Sequence, residues 1–341
     1  MDERGWLAAG DFEDALAACN LLPGPASTQL SIYCAWRLRG RLGGLLGGAA
    51  FILPGLILIL ALAVLFLASA PPRWALGAGA GAGAAVAAVA FDAGFGLVPS
   101  SWQKAAEASR FRWVAYLAAG AAASATIGPW LVLVLLGCGV IELTLRRASM
   151  LTPAPVTLVA AGASGGLLAL SWVAFKVGAL SYGGGFVIVP LMQGDAVNRY
   201  HWLTDQQFLN AVALGQITPG PVVHTVAAVG YGAAGVGGGV LAALVAFAPS
   251  FAFILVGGRH FESLRRARSA RDFLDGAGPA AIGAILGSTI PLARALDEPW
   301  QYGVLAAASL LLLVLRRGVV LTLLLAGAVG ALIAVAGGPL P

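Results

Sequence analysis

The sequence is poor in charge, cysteine and histidine, and these shortages exclude several classes of function. Charged residues make up 10% of its 341 residues, and it has three cysteines and three histidines. Cys19, Cys34 and Cys138 lie in or beside apolar segments without the spacing of metal ligands, and no P-loop sequence for nucleotide phosphates occurs. No polar stretch is long enough to fold as a soluble domain. We therefore expect no metal, no nucleotide cofactor and no extramembrane catalytic domain.

Apolar residues dominate instead, and they set the class of the fold. Hydrophobic residues account for 59% of the chain, and apolar runs of membrane length recur from end to end. The composition predicts an all-α polytopic membrane protein whose first partner is the lipid bilayer. The net charge of +5 does not indicate a nucleic-acid partner, because the basic residues lie in short loops, where they orient the chain.

A five-residue segment ending in Pro-Gly-Pro occurs twice, 196 residues apart. The two copies are Leu21–Pro25 and Ile217–Pro221. Pro-Gly-Pro cannot continue a helix, because each proline removes a backbone donor and the glycine relaxes φ. Broken backbone survives in a bilayer only where protein or a water-lined cavity covers it. Two matched breaks in two halves therefore indicate a transport site.

The two halves read as an inverted duplication. At the offset of 196 several further residues match, among them Trp6 with Trp202, Phe12 with Phe208, Gly43 with Gly239, Leu45 with Leu241 and Phe51 with Phe247. Arginines at positions 37, 39 and 41 follow the first Pro-Gly-Pro segment, whereas residues 231–239 carry no charge; one span later the bias swaps. Lysine and arginine in short loops mark the cytoplasmic side. We predict an inverted-topology repeat of two homologous halves, 1–148 and 149–341.

The path of each Pro-Gly-Pro segment stays open at this stage. Half-helices of about 11 residues are ~16 Å long at 1.5 Å per residue. Each segment therefore either crosses the bilayer as one broken helix or enters and returns as a re-entrant hairpin. The loop charges fit both paths.

The residues around these breaks resemble the chromate ion transporter (CHR) family. The resemblance covers nearly the whole chain and is carried by Asn20–Gln29 (NLLPGPASTQ), Tyr33, Arg37–Gly40, Phe175–Phe186 (FKVGALSYGGGF), Pro190-Leu191 and Gly215–Val223 (GQITPGPVV). It implies an efflux permease that expels chromate, a sulfate-like dianion, across the bacterial inner membrane. Related two-half proteins usually carry an additional broken helix before the first Trp-Leu, equivalent to Lys176–Pro190. The sequence here starts at Met1, directly before that tryptophan, so we expect this helix to be absent.

The half-helices that follow Pro25 and Pro221 are the predicted anion site. Their first turns present backbone N–H groups and the positive end of the helix dipole. The alternative is that the polar side chains only cap the broken ends. The candidate substrate-binding residues of the two breaks are Pro23, Gly24, Pro25, Ser27, Thr28 and Gln29 in the first half, and Gln216, Thr218, Pro219, Gly220, Pro221, His224 and Thr225 in the second.

A third candidate region lies between the two breaks, at Lys176 and the segment Ser181-Tyr182-Gly183-Gly184-Gly185. Three bare glycine backbones can approach an anion, or they can form a kink for helix packing. An intramembrane lysine usually faces a cavity or a partner, and its charge would attract a dianion; the alternative is snorkelling to the interface.

Proton coupling and charge pairing have fewer candidates. His224 could titrate near neutral pH, and Asp92 could bind a coupling proton or pair with a base; a packing histidine and an interfacial carboxylate are the alternatives. Gln216, aligned with Asn20, could line the same cavity or satisfy carbonyls freed by proline. Glu142 lies one turn before Arg146 and is predicted to form an ion pair at the membrane boundary.

These features favour a secondary active transporter over an enzyme. The preferred function is chromate efflux by alternating access of the two halves. Transport of another anion such as sulfate, or passive conduction by an anion channel, remains open. Gly162-Ala-Ser164-Gly165 looks like a rhomboid-type protease sequence, but small-residue packing explains it without catalysis. A homodimer is possible.

Overall fold

The structure is a computed structural model, and it describes residues 19, 24–68, 70–105, 107–126, 130–147, 166–181, 186–257 and 268–341. Within these residues all regular structure is helical, and four segments are long and apolar enough to span a bilayer: Ala26–Phe66, Arg73–Lys104, Val222–Gly257 and Arg271–Arg294. The chain is therefore an all-α multi-pass membrane protein, as predicted from its composition.

Twelve α-helices are described. They are α1 (Ala26–Phe66), α2 (Arg73–Ala84), α3 (Val86–Lys104), α4 (Arg110–Thr126), α5 (Leu131–Arg147), α6 (Leu167–Leu180), α7 (Ile188–Gln193), α8 (Asp205–Ile217), α9 (Thr225–Gly257), α10 (Arg268–Arg294), α11 (Pro299–Ser309) and α12 (Val319–Val335). Short 3₁₀ turns lie at Glu107–Ser109 and Val222–His224, and π-helical turns lie at Gly194–Arg199 and Leu310–Val314.

The long helices α1 and α9 are each a hairpin of two helices. Gly40 and Gly235 both have φ of 63°, which only glycine adopts readily, and the chain reverses there. A Cβ added at Gly239 would lie 2.7 Å from the carbonyl oxygen of Ala227, although 12 residues of straight helix span about 18 Å. Gly44 packs back on Ile32 in the same way. We therefore divide α1 into α1a (26–38) and α1b (41–66), and α9 into α9a (225–233) and α9b (236–257).

The second Pro-Gly-Pro segment is also the turn of a hairpin. Gly215 of α8 packs so closely on Thr225 of α9a that a Cβ would collide with its hydroxyl, and Leu203, just before α8, contacts Gly232 at the far end of α9a. The two helices therefore run antiparallel, and residues 218–221 form the tip between them. The second Pro-Gly-Pro segment therefore turns the chain back on itself and does not continue as one broken helix. In the first half, most residues before Gly24 lie outside the described residues.

The helices α1b and α9b form an antiparallel pair at the centre. Gly44 packs on Leu255 and Gly48 on Phe251, while Gly239 packs on Leu60 near the other end of the pair. The arm α1a joins one end of this pair, and α9a joins the opposite end. The two arms therefore enter from opposite sides, as expected from the inverted loop charges.

Close contacts between small residues hold the outer helices. Gly77 and Gly330 each meet the backbone carbonyl of the other, which joins α2 to α12. Gly120 meets the carbonyl of Ala280, and Gly283 meets that of Leu117, which joins α4 to α10. Small residues let helix backbones approach closely where the lipid offers no hydrophobic driving force. The Gly/Ala run beginning at Gly77 thus packs helices.

The two halves match with one residue of difference. Gly24 and Gly220 are 196 residues apart, but the hairpin turns at Gly40 and Gly235 and the helix prolines Pro54 and Pro249 are 195 apart. The second half has one residue fewer, and the difference lies in the 3₁₀ turn: the N–H of His224 bonds to the carbonyl of Pro221, three residues back, whereas that of Gln29 bonds to the carbonyl of Pro25, four residues back. The structure therefore corrects the sequence matches of Gly43, Leu45 and Phe51 by one residue: their structural equivalents are Gly238, Val240 and Ala246.

An ion-pair network joins α4, α5 and α10 at one end of the bundle. Glu142 is buried and accepts hydrogen bonds from Arg112 at 2.9 and 3.1 Å, from Arg146 at 2.7 Å and from Tyr116 at 3.1 Å. Arg146 also reaches Asp272 and Asp275. The predicted pairing of Glu142 with Arg146 is confirmed.

Candidate functional site

Both Pro-Gly-Pro tips have the same backbone geometry. Gly24 has φ of 120° and Gly220 has φ of 124°, a region that side chains with a Cβ rarely adopt. Pro25 and Pro221 follow in extended conformation, and helical structure begins at Ala26 and at Val222. The predicted half-helices therefore start directly after each tip. The first N–H groups of each half-helix have no partner within the helix and point toward the tip.

The second tip is built around His224. Its ring is fully buried, its Nε2 lies 3.1 Å from the carbonyl oxygen of Ile52, and it makes an edge contact with Phe247 at 5.3 Å between ring centroids. A Cβ on Gly55 would lie 2.5 Å from both the His224 ring and the carbonyl oxygen of Pro219. Only glycine at position 55 therefore lets the central helix α1b approach this tip.

The first tip repeats this arrangement with other side chains. A Cβ on Gly24 would lie 2.5 Å from Nε2 of Gln29 and 3.0 Å from Oγ of Ser250. With the one-residue difference between the halves, Gln29 corresponds to His224 and Ser250 corresponds to Gly55. Ser250 was not among the residues expected from the sequence. The sequence feature that could have identified Ser250 is the pair Pro249-Ser250 within an apolar helix, because this pair corresponds to Pro54-Gly55 in the first half.

The two tips lie on either side of the middle of the central pair. From the contacts of Gly44 and Gly48, residue 55 lies opposite residue 244, six residues or about 9 Å along the axis from Ser250. Adding a lateral helix separation of 8–10 Å places the tips about 12 Å apart. The hairpins thus bring together two segments that are 196 residues apart in sequence.

Several buried polar atoms near these breaks have no hydrogen-bond partner among the described residues. Buried polar groups are normally paired, so each unpaired one needs an explanation. The side chains of Thr28, Ser181, His224 and Ser250 are fully buried, and that of Gln216 is half-buried. The unpaired atoms are Thr28 Oγ1, Ser181 Oγ, Gln216 Nε2, His224 Nδ1 and Ser250 Oγ.

Other predicted residues satisfy their own backbone or lie away from the tips. The hydroxyls of Thr218 and Thr225 donate to the carbonyls of Leu214 and Val222 at 2.8 Å, so each already has a backbone partner in its own turn. Ser27 is exposed. Asp92 is half-buried on α3, which packs on α10 through Gly94 and Leu286, and none of the tip contacts includes it. Pro23 and Tyr182–Gly185 lie outside the described residues.

Lys176 is buried and has an ionic partner. Its ammonium forms an ion pair with Asp195, and the two side chains are 10% and 0% exposed. Asp195 also lies 3.9 Å from Arg199 on the following turn. Sequence reasoning missed Asp195, because it lies 19 positions beyond Lys176 and after the glycine break.

A separate cavity lies away from the tips. It has a volume of about 490 Å³ and is lined by residues of α3, α4, α5 and α10, including Lys104, Arg112, Glu142 and Arg271. Its two best-placed guanidinium groups are occupied, since Arg112 and Arg146 are bound to carboxylates. We therefore base the candidate site on the tips, where the duplicated backbone and the unpaired polar atoms coincide.

The fold and these tips define the class of the protein. Two halves of opposite direction and helix breaks beside buried polar side chains are features of membrane transporters. The family comparison agrees: the family model described as "Chromate transporter" matches residues 1–143 and 168–331. The chain belongs to the chromate transporter family.

Individual relatives cover most of the chain. A "Chromate transport protein" of Cupriavidus metallidurans is 33% identical over 92% of this chain and 80% of its own length. A "Chromate transport protein" of Pseudomonas aeruginosa is 31% identical over 87% and 75%. An "Uncharacterized transporter" of Methanocaldococcus jannaschii is 23% identical over 98% and 87%. No solved structure matches this chain.

Proposed function

We propose that the protein exports chromate from the cytoplasm across the bacterial inner membrane, with the two Pro-Gly-Pro tips as its substrate site. The observation that carries this proposal is the meeting of two matched helix breaks from opposite sides of the bundle. The names of the similar proteins support chromate as the substrate.

A tetrahedral dianion suits the groups at the tips. The helix starts after Pro25 and Pro221 offer backbone N–H donors and the positive dipole end. The hydroxyls of Thr28 and Ser250 and the amide of Gln216 add donors that have no partner among the described residues. His224 donates through Nδ1 when the ring carries a second proton, because its Nε2 proton is used on the carbonyl of Ile52. Lys176 supplies the positive charge of the site.

The inverted arrangement supports alternating access. The first tip starts the arm α1a, which joins one end of the central pair, and the second tip starts the arm α9a, which joins the opposite end. Rocking of the halves about the crossing of α1b and α9b would open the site to one side at a time. An inside-negative potential favours export of a dianion by about 2.3 kcal/mol per charge per 100 mV.

Chromate tolerance tests the proposal. Cells that express the protein should grow at higher chromate concentrations and accumulate less chromate than cells with an empty vector. Pro221→Ala and Lys176→Ala should remove this advantage while the protein still inserts into the membrane. Pro279→Ala, in a helix away from the tips, is the matched control and should keep it. Tolerance unchanged in both site variants would remove these residues from the site.

Vesicle transport distinguishes the remaining alternatives. Chromate movement against its own gradient when a proton gradient or membrane potential is imposed supports active transport, whereas movement only down the gradient indicates a passive channel. Sulfate in excess should compete with chromate if the site recognises tetrahedral dianions. Stronger transport of sulfate than of chromate would reassign the substrate without changing the site.

A further inference from the structure

The ion pair between Lys176 and Asp195 lies at the depth of the tips. Gly178, two residues after Lys176, packs against the backbone carbonyl of Ala246. Ala246 precedes Phe247, whose ring touches His224. At 1.5 Å per residue, Lys176 lies within about 3 Å of that depth. The pair therefore belongs to the interior of the bundle and not to the membrane surface.

A buried ion pair of this kind has a large desolvation free energy. Burial strips both ions of water, and their mutual attraction repays that cost only with favourable geometry and further hydrogen bonds. Asp195 does not have them in full: Oδ2 is bound to Lys176, but Oδ1 has no hydrogen-bond partner in the described part of the chain. Ionisable groups inside membrane proteins usually mark substrate or ion pathways. The pair is therefore a candidate for a role in the transport pathway.

A second cationic side chain, that of Arg199, lies near Asp195. Nη1 of Arg199 lies 3.9 Å from Oδ1, close enough for attraction but too far for a hydrogen bond. The Arg199 side chain is 41% exposed and lies over the ring of Tyr200 at 5.1 Å. Both Asp195 and Arg199 belong to the π-helical turn Gly194–Arg199. Such turns are uncommon and are frequently found at functional sites.

We propose that Asp195 competes with the substrate anion for Lys176, so that substrate binding exchanges one ion pair for another. This inference rests on the proposed function and deepens it. Without substrate, Asp195 neutralises Lys176. When an oxyanion binds Lys176, the Asp195 carboxylate moves to Arg199. No bond is made or broken and no proton is required, because each of the two cations keeps one anionic partner.

The exchange has two consequences for transport. The returning carboxylate displaces the anion, so the site can release its substrate. A dianion also competes better than a monoanion, because its attraction to the ammonium is about twice as large at the same distance. The pair therefore selects dianionic oxyanions over chloride.

Substitutions on the two sides of the exchange should act in opposite directions. Asp195→Asn removes the competitor, and we expect about tenfold lower half-saturating chromate, equivalent to about 1.4 kcal/mol, with a slower maximal rate because release is impaired. Arg199→Gln removes the alternative partner, and we expect the half-saturating concentration to rise severalfold. The measurement is chromate uptake into inverted vesicles as a function of concentration, with and without excess chloride. Chloride should inhibit the Asp195→Asn protein more than the wild type.

Glu142→Gln is the matched control, because it also breaks a buried ion pair but lies in the network with Arg112 and Arg146. It should lower thermal stability and leave the half-saturating concentration unchanged. If Asp195→Asn does not fold, Arg199→Gln and Arg199→Lys still test the exchange. Only the exchange predicts that Arg199→Lys, which keeps the positive charge, raises the half-saturating concentration less than Arg199→Gln does. Suppose that the wild-type protein transports chromate into vesicles, but the Asp195 and Arg199 variants shift the half-saturating concentration in the same direction or not at all. The exchange is then overturned, and the proposed function stands. Wild-type vesicles without chromate uptake would overturn the proposed function and the exchange with it.

Discussion

The two Pro-Gly-Pro tips share their backbone but not their side chains. At the first tip Gly24 lies beside Gln29 and the hydroxyl of Ser250; at the second, Gly220 lies beside the His224 ring, and Gly55 takes the place of the serine. Each tip is thus completed by the central helix of the other half. The comparison shows that the duplicated sequence preserves the main-chain turn, while the chemistry of each side has diverged.

The glycine at the second tip is the most sensitive point of this comparison. Gly55→Ala would place a Cβ 2.5 Å from the carbonyl of Pro219 and from the His224 ring, and neither can retreat without moving the tip. We expect a loss of about 1–3 kcal/mol of stability and near-background chromate transport. Thermal unfolding in detergent and vesicle uptake measure the two effects. Gly137→Ala, where nothing lies within 4 Å of the added Cβ, is the control; equal loss in both would mean that packing at the tip is not special.

Exchanging the side chains of the tips sharpens the comparison. His224→Gln gives the second tip the residue of the first and keeps a donor for the carbonyl of Ile52. We expect normal folding with transport reduced severalfold, and a larger loss for His224→Leu, which cannot hydrogen-bond. Initial rates of chromate uptake, scaled to the amount of inserted protein, test this order. Equal rates for Leu and Gln would show that His224 acts only by filling space.

Ser250 offers a test of binding without a penalty in folding. Its hydroxyl is buried and unpaired among the described residues, so Ser250→Ala removes no hydrogen bond that the structure shows. Stability should be unchanged within about 0.5 kcal/mol, while half-saturating chromate should rise about threefold if the hydroxyl donates to the anion. A fall in stability with unchanged affinity would place Ser250 in the packing of the first tip and not in its binding function.

Alanine substitutions at the two hairpin turns, Gly40 and Gly235, should differ least between the halves in their effect on stability. Gly40 and Gly235 have the same φ, and no atom lies within 4 Å of an added Cβ at either position. Alanine at each therefore costs only backbone strain, about 1 kcal/mol, with transport close to that of the wild type. The shifts in melting temperature of the two variants should agree. Unequal shifts would mean that one arm is held more tightly than the other.

Local sequence signals identified the helices, the breaks and the duplication. They could not decide between a crossing and a hairpin, because a Pro-Gly-Pro turn has the same local cost in both; long-range packing, such as Leu203 on Gly232, decides it. The ion pair of Lys176 also depends on tertiary structure, since its partner follows a second break. Ser250 was missed because a single hydroxyl in an apolar helix is indistinguishable in sequence from a small packing residue.

The residue that the Val222–His224 turn lacks, relative to the first half, has a thermodynamic consequence. If the two halves were identical and related by perfect two-fold symmetry, exchanging them would convert the inward-open form of the proposed cycle into the outward-open form. The two forms would then have equal free energy. A turn shorter by one residue, together with the unlike pair Gln29 and His224, removes that equality. The resting protein should therefore favour one orientation even without any gradient across the membrane.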